Sequence, residues 1–179
     1  MALGRIEQGS VLSSDEGEAI WLQGGLCVIK VPGEATGGQF TLCEQVMPRG
    51  MATPIHVQPD EDEVFYVLEG AMTFYLDGEL LPGDAGAIVC IPRGAAHGFR
   101  VESGTARFLV LNTPAGHERW FRAAGEPASS RTLPTGPFDE ERVAAASRAF
   151  GYGWVGPFPD GEAPATGSRD PDPDPGRRR

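Results

Sequence analysis

Apolar positions along this chain fall into short runs of alternating or β-branched and aromatic residues, not into the three-to-four-residue spacing of long helices. Such segments recur at 26–31, 39–46, 63–69, 71–76, 87–91, 98–102 and 106–112, each closed by glycine or proline. Many closely spaced strands with no helix between them exclude a parallel βαβ arrangement. They predict an all-β antiparallel barrel or sandwich instead. Glu69-Gly70 and Asp77-Gly78 read as hairpin turns, and Pro82-Gly83-Asp84 as a turn before the next strand.

The pattern changes after Thr113-Pro114. Residues 116–124 set Trp120, Phe121 and Ala124 on one helical face, and 139–150 carries Asp139 as a cap with Val143, Ala146 and Phe150 facing inward. Beyond Pro157 the Pro, Asp, Gly and Ser content leaves nothing to bury. The expected organisation is an N-terminal arm (1–20), a barrel (21–115), a helical extension (116–155) and a disordered tail (156–179). The arm is too short for a helix-turn-helix, and no internal repeat suggests a second barrel.

Charge narrows the partners. The 179 residues carry a formal net charge of −10, of which the stretch from Val155 onward contributes only about one unit. An acidic surface repels phosphate backbones and anionic lipid headgroups, so neither nucleic acid nor a membrane is the expected partner. No run approaches a membrane span and the first ten residues lack a signal-peptide core, making a cytoplasmic protein the expectation. Cys27, Cys43 and Cys90 sit in apolar runs and read as buried reduced thiols.

Only three histidines occur, and two of them belong to regularly spaced sets. Gly50, His56, Gln58, Glu63 and Gly70 form the first; Gly86, Pro92, Gly94 and His97 form the second. Alternation on an extended strand puts His56 and Gln58 on one face, Glu63 with Phe65 and Val67, and His97 with Phe99 and Val101. Two imidazoles, a carboxylate and a carboxamide suit a divalent first-row cation. The glycines and Pro92 read as turn residues that set ligand placement. Glu63 closes an acidic run, Asp60-Glu61-Asp62, that by itself reads as a solvated turn. His117 reads as a surface or packing residue, and Trp21, Trp120 and Trp154 as core or interface anchors.

These sets resemble the two motifs of the cupin superfamily, in particular its small single-barrel members of the quercetin-dioxygenase-like kind. The first motif runs Gly, five residues, His-x-His, three or four residues, Glu, six residues, Gly; it is met at Gly50, His56, Glu63 and Gly70, with Gln58 where the second histidine belongs. The second runs Gly, five residues, Pro-x-Gly, two residues, His, three residues, Asn; it is met at Gly86, Pro92, Gly94 and His97, with Val101 in place of the asparagine. The resemblance covers residues 41–112 and implies a jelly-roll, double-stranded β-helix barrel and a homodimer built by sheet packing. It also implies one bound Fe, Ni, Mn or Zn, held by His56, Glu63 and His97 and, conditionally, by Gln58. A carboxamide oxygen is a weaker donor than imidazole, so metal should be held less tightly than by three histidines.

The resulting expectation is a metal-dependent, dioxygenase-like oxidoreductase acting on a small aromatic or polyketide-like metabolite with dioxygen. Glu63 is the expected catalytic base, and Phe65, Phe99 and Val101 the expected substrate-pocket walls. The same frame also accommodates a non-redox cyclase or isomerase, and a small-ligand binder without turnover.

Overall fold

A computed structural model describes residues 9–161 and 163. In chain order its elements are β1 (Glu18–Leu22), β2 (Gly25–Val31), a 3-10 turn (Gly33–Thr36), β3 (Thr41–Pro48), β4 (Ile55–Val57), β5 (Asp62–Glu69), β6 (Ala71–Leu76), β7 (Glu79–Asp84), β8 (Ile88–Ile91), β9 (Ala96–Val101), β10 (Thr105–Thr113), α1 (His117–Ala124), β11 (Glu126–Pro127), α2 (Glu140–Ala149) and β12 (Gly153–Gly156). Two antiparallel sheets face each other: a seven-stranded one ordered β11-β1-β2-β3-β10-β5-β8 and a five-stranded one ordered β12-β4-β9-β6-β7. This is the expected jelly roll. The expected disordered tail falls, from residue 164 on, outside the described residues.

Strict alternation builds the interior. On β3, Thr41, Cys43, Gln45 and Met47 turn inward, and on β10 Ala106, Phe108, Val110 and Asn112 do so. Phe65, Phe74, Phe99 and Phe108 meet between the sheets, with ring centroids 5.2 Å apart for Phe65–Phe74 and 5.4 Å for Phe99–Phe108, both edge-to-face. A second apolar cluster joins Ile20, Leu22, Cys27, Ile29 and Cys43 to Trp120, Phe121 and Ala124, so α1 closes one mouth of the barrel. In α2, Asp139 caps as expected, its side chain accepting from the Arg142 backbone N–H at 2.9 Å.

Several local expectations change. Glu69-Gly70 is not a hairpin: β5 and β6 lie in different sheets, and the chain crosses between them at Gly70, whose φ of +88° and close approach to Thr105 leave no room for a Cβ. Asp77-Gly78 does form the β6–β7 hairpin, with both residues at positive φ. Pro82-Gly83-Asp84 is the end of β7, not a turn. That strand is an edge, where a residue without an N–H costs no ladder bond. Cys27 and Cys43 are buried, but Cys90 is exposed on edge strand β8, because there Val89 and Ile91 take the inward phase. Glu61 is buried, not solvated. None of the described helices is long and apolar enough to cross a membrane.

Candidate functional site

His56 and His97 are direct register partners across the β4–β9 ladder, which sets their imidazoles side by side with centroids 4.3 Å apart. Each ring is oriented by its own backbone: His56 Nδ1–H donates to the Pro54 carbonyl at 2.9 Å, and His97 Nδ1–H to the Ala95 carbonyl at 3.0 Å. Engaging Nδ1 in this way leaves Nε2 as the free coordinating atom of both rings.

Glu63 reaches the same place from the opposite sheet. Its Cα partner on β10 is Asn112, fully buried, and Asn112 Nδ2 donates to Glu63 Oε1 at 3.0 Å. The other oxygen, Oε2, lies 3.3 Å from His97 Nε2, yet without hydrogen-bond alignment, so that nitrogen has no hydrogen-bond partner. Gln58, 2% exposed, follows β4 directly. Its Nε2 is 3.5 Å from His56 Nε2, and its Oε1 is buried without a partner.

Electrostatics follow from this crowding. Burial, reinforced by the neighbouring His97, lowers the His56 imidazole to about 4. Burial alone would raise the Glu63 carboxyl, but His97, His117 and Asn112 outweigh it and hold Glu63 at about 2. Burial also opposes protonation of His97, and the Glu63 carboxylate overcomes it and raises that imidazole. At neutral pH the centre therefore combines an ionised carboxylate with a neutral His56.

The donor set fits a cation. Two ligand atoms about 2.1 Å from one ion at right angles stand about 3 Å apart, and the 3.3 Å separation of Glu63 Oε2 and His97 Nε2 is close to that. Buried, unpartnered Gln58 Oε1 and His97 Nε2 are the kind of orphaned atoms such an ion satisfies. Among the described residues no three His, Cys, Asp or Glu side chains form a ready metal cluster on their own.

The four donors open into a cavity of about 610 Å³. Phe65 and Phe99 line it; Val101 does not, because at 1% exposure it is packed in the barrel core opposite Met72. The far walls come from outside the motif strands: Trp120 and Phe121 of α1, Val143 of α2, and Tyr152 and Trp154 at the C-terminal strand. Trp154 sits directly opposite His56 in the β12–β4 pairing. His117 also lines the cavity and is buried, which meets the packing and not the surface alternative, with Nδ1 3.1 Å from Glu61 Oε1 and 2.6 Å from the Tyr152 hydroxyl.

Sequence reasoning missed Asn112, Glu61, His117 as a wall residue, and Tyr152. A signal for Asn112 existed, since it takes the inward phase of a strand whose other inward residues are Ala106, Phe108 and Val110. No local signal could have found the other three, whose contacts span 56, 35 and 91 residues.

Residues 43–112 match the family described as Cupin domain. A quercetin 2,3-dioxygenase from Bacillus subtilis (strain 168) is 29% identical over 127 residues, 71% of this chain but 38% of that protein. The chain thus spans well under half the length of that relative. Among solved structures, KdgF from Halomonas sp. superposes with a TM-score of 0.56 at 20% identity, covering 63% of this chain and 99% of that one. A sugar phosphate isomerase of the cupin superfamily from Silicibacter pomeroyi superposes with a TM-score of 0.51 at 25% identity, covering 58% and 75%.

Proposed function

The chain belongs to the cupin superfamily, and on that footing we propose that it is a metal-dependent, dioxygenase-like oxidoreductase acting on a small aromatic or polyketide-like metabolite. The observation that supports this reading is the Glu63 carboxylate 3.3 Å from His97 Nε2, with His56 beside that ring and an orphaned Gln58 amide oxygen, in an aromatic-walled cavity. His56, His97, Glu63 and Gln58 would hold the ion. A divalent cation bound there supplies positive charge for an enolate or phenolate oxygen and, if redox-active, a route for electrons between substrate and dioxygen.

The chain's own residues do the rest. Glu63, kept ionised and tethered by one oxygen to Asn112, would either stay with its second oxygen among the donors or swing that oxygen out to take a proton from a substrate hydroxyl. Phe65 and Phe99 orient a flat apolar body over the donors, and the α1 and β12 walls exclude water. The similarity to a quercetin dioxygenase supports the oxidative version.

A non-redox Lewis-acid isomerisation or cyclisation is the second reading, favoured by the isomerase neighbour and by the weaker donor at Gln58. The test is elemental analysis of protein purified without chelators, followed by oxygen uptake with quercetin after loading Fe, Ni, Mn or Zn. Metal near one equivalent and oxygen-dependent turnover are expected. Undiminished anaerobic turnover with zinc would move the assignment to the second reading. No bound metal and no gain on adding any of the four would leave a ligand-binding barrel.

A further inference from the structure

Among the described residues the strands of the larger sheet carry four buried polar side chains, and three of them are held by hydrogen bonds within the protein. Thr41 on β3 donates its hydroxyl to Glu118, and Asn112 on β10 donates to Glu63 on β5. The fourth, Gln45, is 5% exposed and takes the inward phase of β3, where its Cα partners are Cys27 on β2 and Phe108 on β10, both fully buried. Its amide makes no hydrogen bond to a described residue, yet neither of its polar atoms is among the enclosed, unpartnered ones, which are Gln58 Oε1, His97 Nε2 and Asn112 Oδ1. The amide therefore borders open space. That space is the cavity, which Gln45 lines together with Leu22 and Ala52.

Its place is remote from the donors. Glu63 pairs with Asn112 and Asn112 with Thr41, so Gln45 stands four residues along β3 from the row that carries the carboxylate, about 13 Å at the rise of a strand. Methionine would fill the same unbranched space with no polar group to satisfy, whereas an amide turned into an aromatic-walled cavity is costly unless a partner meets it. Water can serve it while the cavity stands open, but a ligand that fills the cavity must replace those bonds or strand the amide. We propose that Gln45 is a specificity-determining residue of the cavity, its amide pairing with a hydroxyl of an aromatic ligand whose other end lies at His56, Gln58, Glu63 and His97. An amide donates, accepts and does not titrate, so it selects an uncharged hydroxyl, which can do both, over a bare hydrocarbon edge. The inference rests on the proposed site and adds a requirement: the ligand is extended and carries a hydroxyl at its far end.

The test is a cycle between protein and ligand. Gln45→Met keeps the unbranched shape and removes both hydrogen-bonding groups. Quercetin is compared with 3-hydroxyflavone, which has the same skeleton and the same adjacent hydroxyl and carbonyl for the donor set but no hydroxyl elsewhere. Binding to zinc-loaded and zinc-free protein is followed by quenching of tryptophan fluorescence, since Trp120 and Trp154 line the cavity. The expected result is about a tenfold loss of quercetin affinity in the variant, from one hydrogen bond, with 3-hydroxyflavone affinity within about twofold and zinc content unchanged. Equal losses for both ligands, no loss for quercetin, or a wild type that binds neither would overturn the proposal. Stability gives a reading without any ligand. An amide with no protein partner is lost cheaply, so ligand-free Gln45→Met should melt no more than about 3 °C below wild type. A larger fall, or a variant that does not fold, makes Gln45 a structural residue and refutes its role in recognition. Metal content separates the two readings. Metal uptake with binding indifferent to Gln45 sinks only that residue's role, whereas no metal uptake sinks the proposed function and leaves the zinc-free titration decisive for Gln45.

Discussion

Replacing Asn112 with leucine removes the one hydrogen bond that tethers Glu63 from its own sheet. Leucine is close in volume and strand β10 is otherwise apolar on this face, so the barrel should still close. What is lost is a 3.0 Å donor to an ionised, buried carboxylate, and hydrogen bonds to charged groups contribute about 1.5–3 kcal/mol. Against this, the buried and unpartnered Asn112 Oδ1 disappears, which returns some stability, so a net loss of about 1–2 kcal/mol is expected. For a chain of this size that corresponds to a fall in Tm of roughly 2–8 °C.

The pH dependence sharpens the test. Glu63 is held at about 2, below its ordinary 4.5. Its contribution is therefore complete above pH 4.5 and lost as pH falls from there toward 2. The gap between wild type and Asn112→Leu, measured by differential scanning calorimetry in chelator, should be constant from pH 8 to about 5 and shrink below that. A variant as stable as the wild type at pH 7, or a gap that grows on acidification, would refute the idea that Asn112 keeps Glu63 charged.

Two further outcomes are expected. Gln58→His exchanges a weak neutral oxygen donor for imidazole, and zinc affinity measured by isothermal titration calorimetry should rise at least about tenfold; unchanged affinity would contradict Gln58 as a ligand. His56 is lowered from 6.5 to about 4, so the unfolded chain takes up that proton first, and stability should decline as pH falls from 6.5 to about 4. Removing this imidazole with His56→Asn should flatten that stretch of the Tm–pH curve, and an unaltered slope would assign the acid sensitivity elsewhere.

The strands and the floor of the site were legible because their rules are local. Alternation assigns β5, β6, β9 and β10, and the same alternation brings Glu63 and Phe65 onto one face and His97 and Phe99 onto another. Gly70 misled because a turn dipeptide looks the same whether the chain doubles back within a sheet or crosses to the other one. Val101 misled through depth. Sharing a strand face with His97 fixes direction only, and the position is covered by Met72 and the phenylalanine cluster. Glu61 looked solvated beside Asp60 and Asp62, because the partners that bury it arrive only when the C-terminal segment docks. Such long-range meetings leave no periodic trace.

The short strand β12 lies alongside β4, the strand that carries His56. The matched barrel segment, 43–112, contains every donor, whereas Trp120, Val143, Tyr152 and Trp154, which enclose them, all lie downstream. Excised at those borders, the barrel would offer its donors from an open dish that any solute of fitting charge could reach. On the proposed reading, chemistry and much of the choice of ligand lie in separate stretches of one polypeptide, and exchanging the downstream stretch would be the direct route to retargeting the pocket without disturbing its floor.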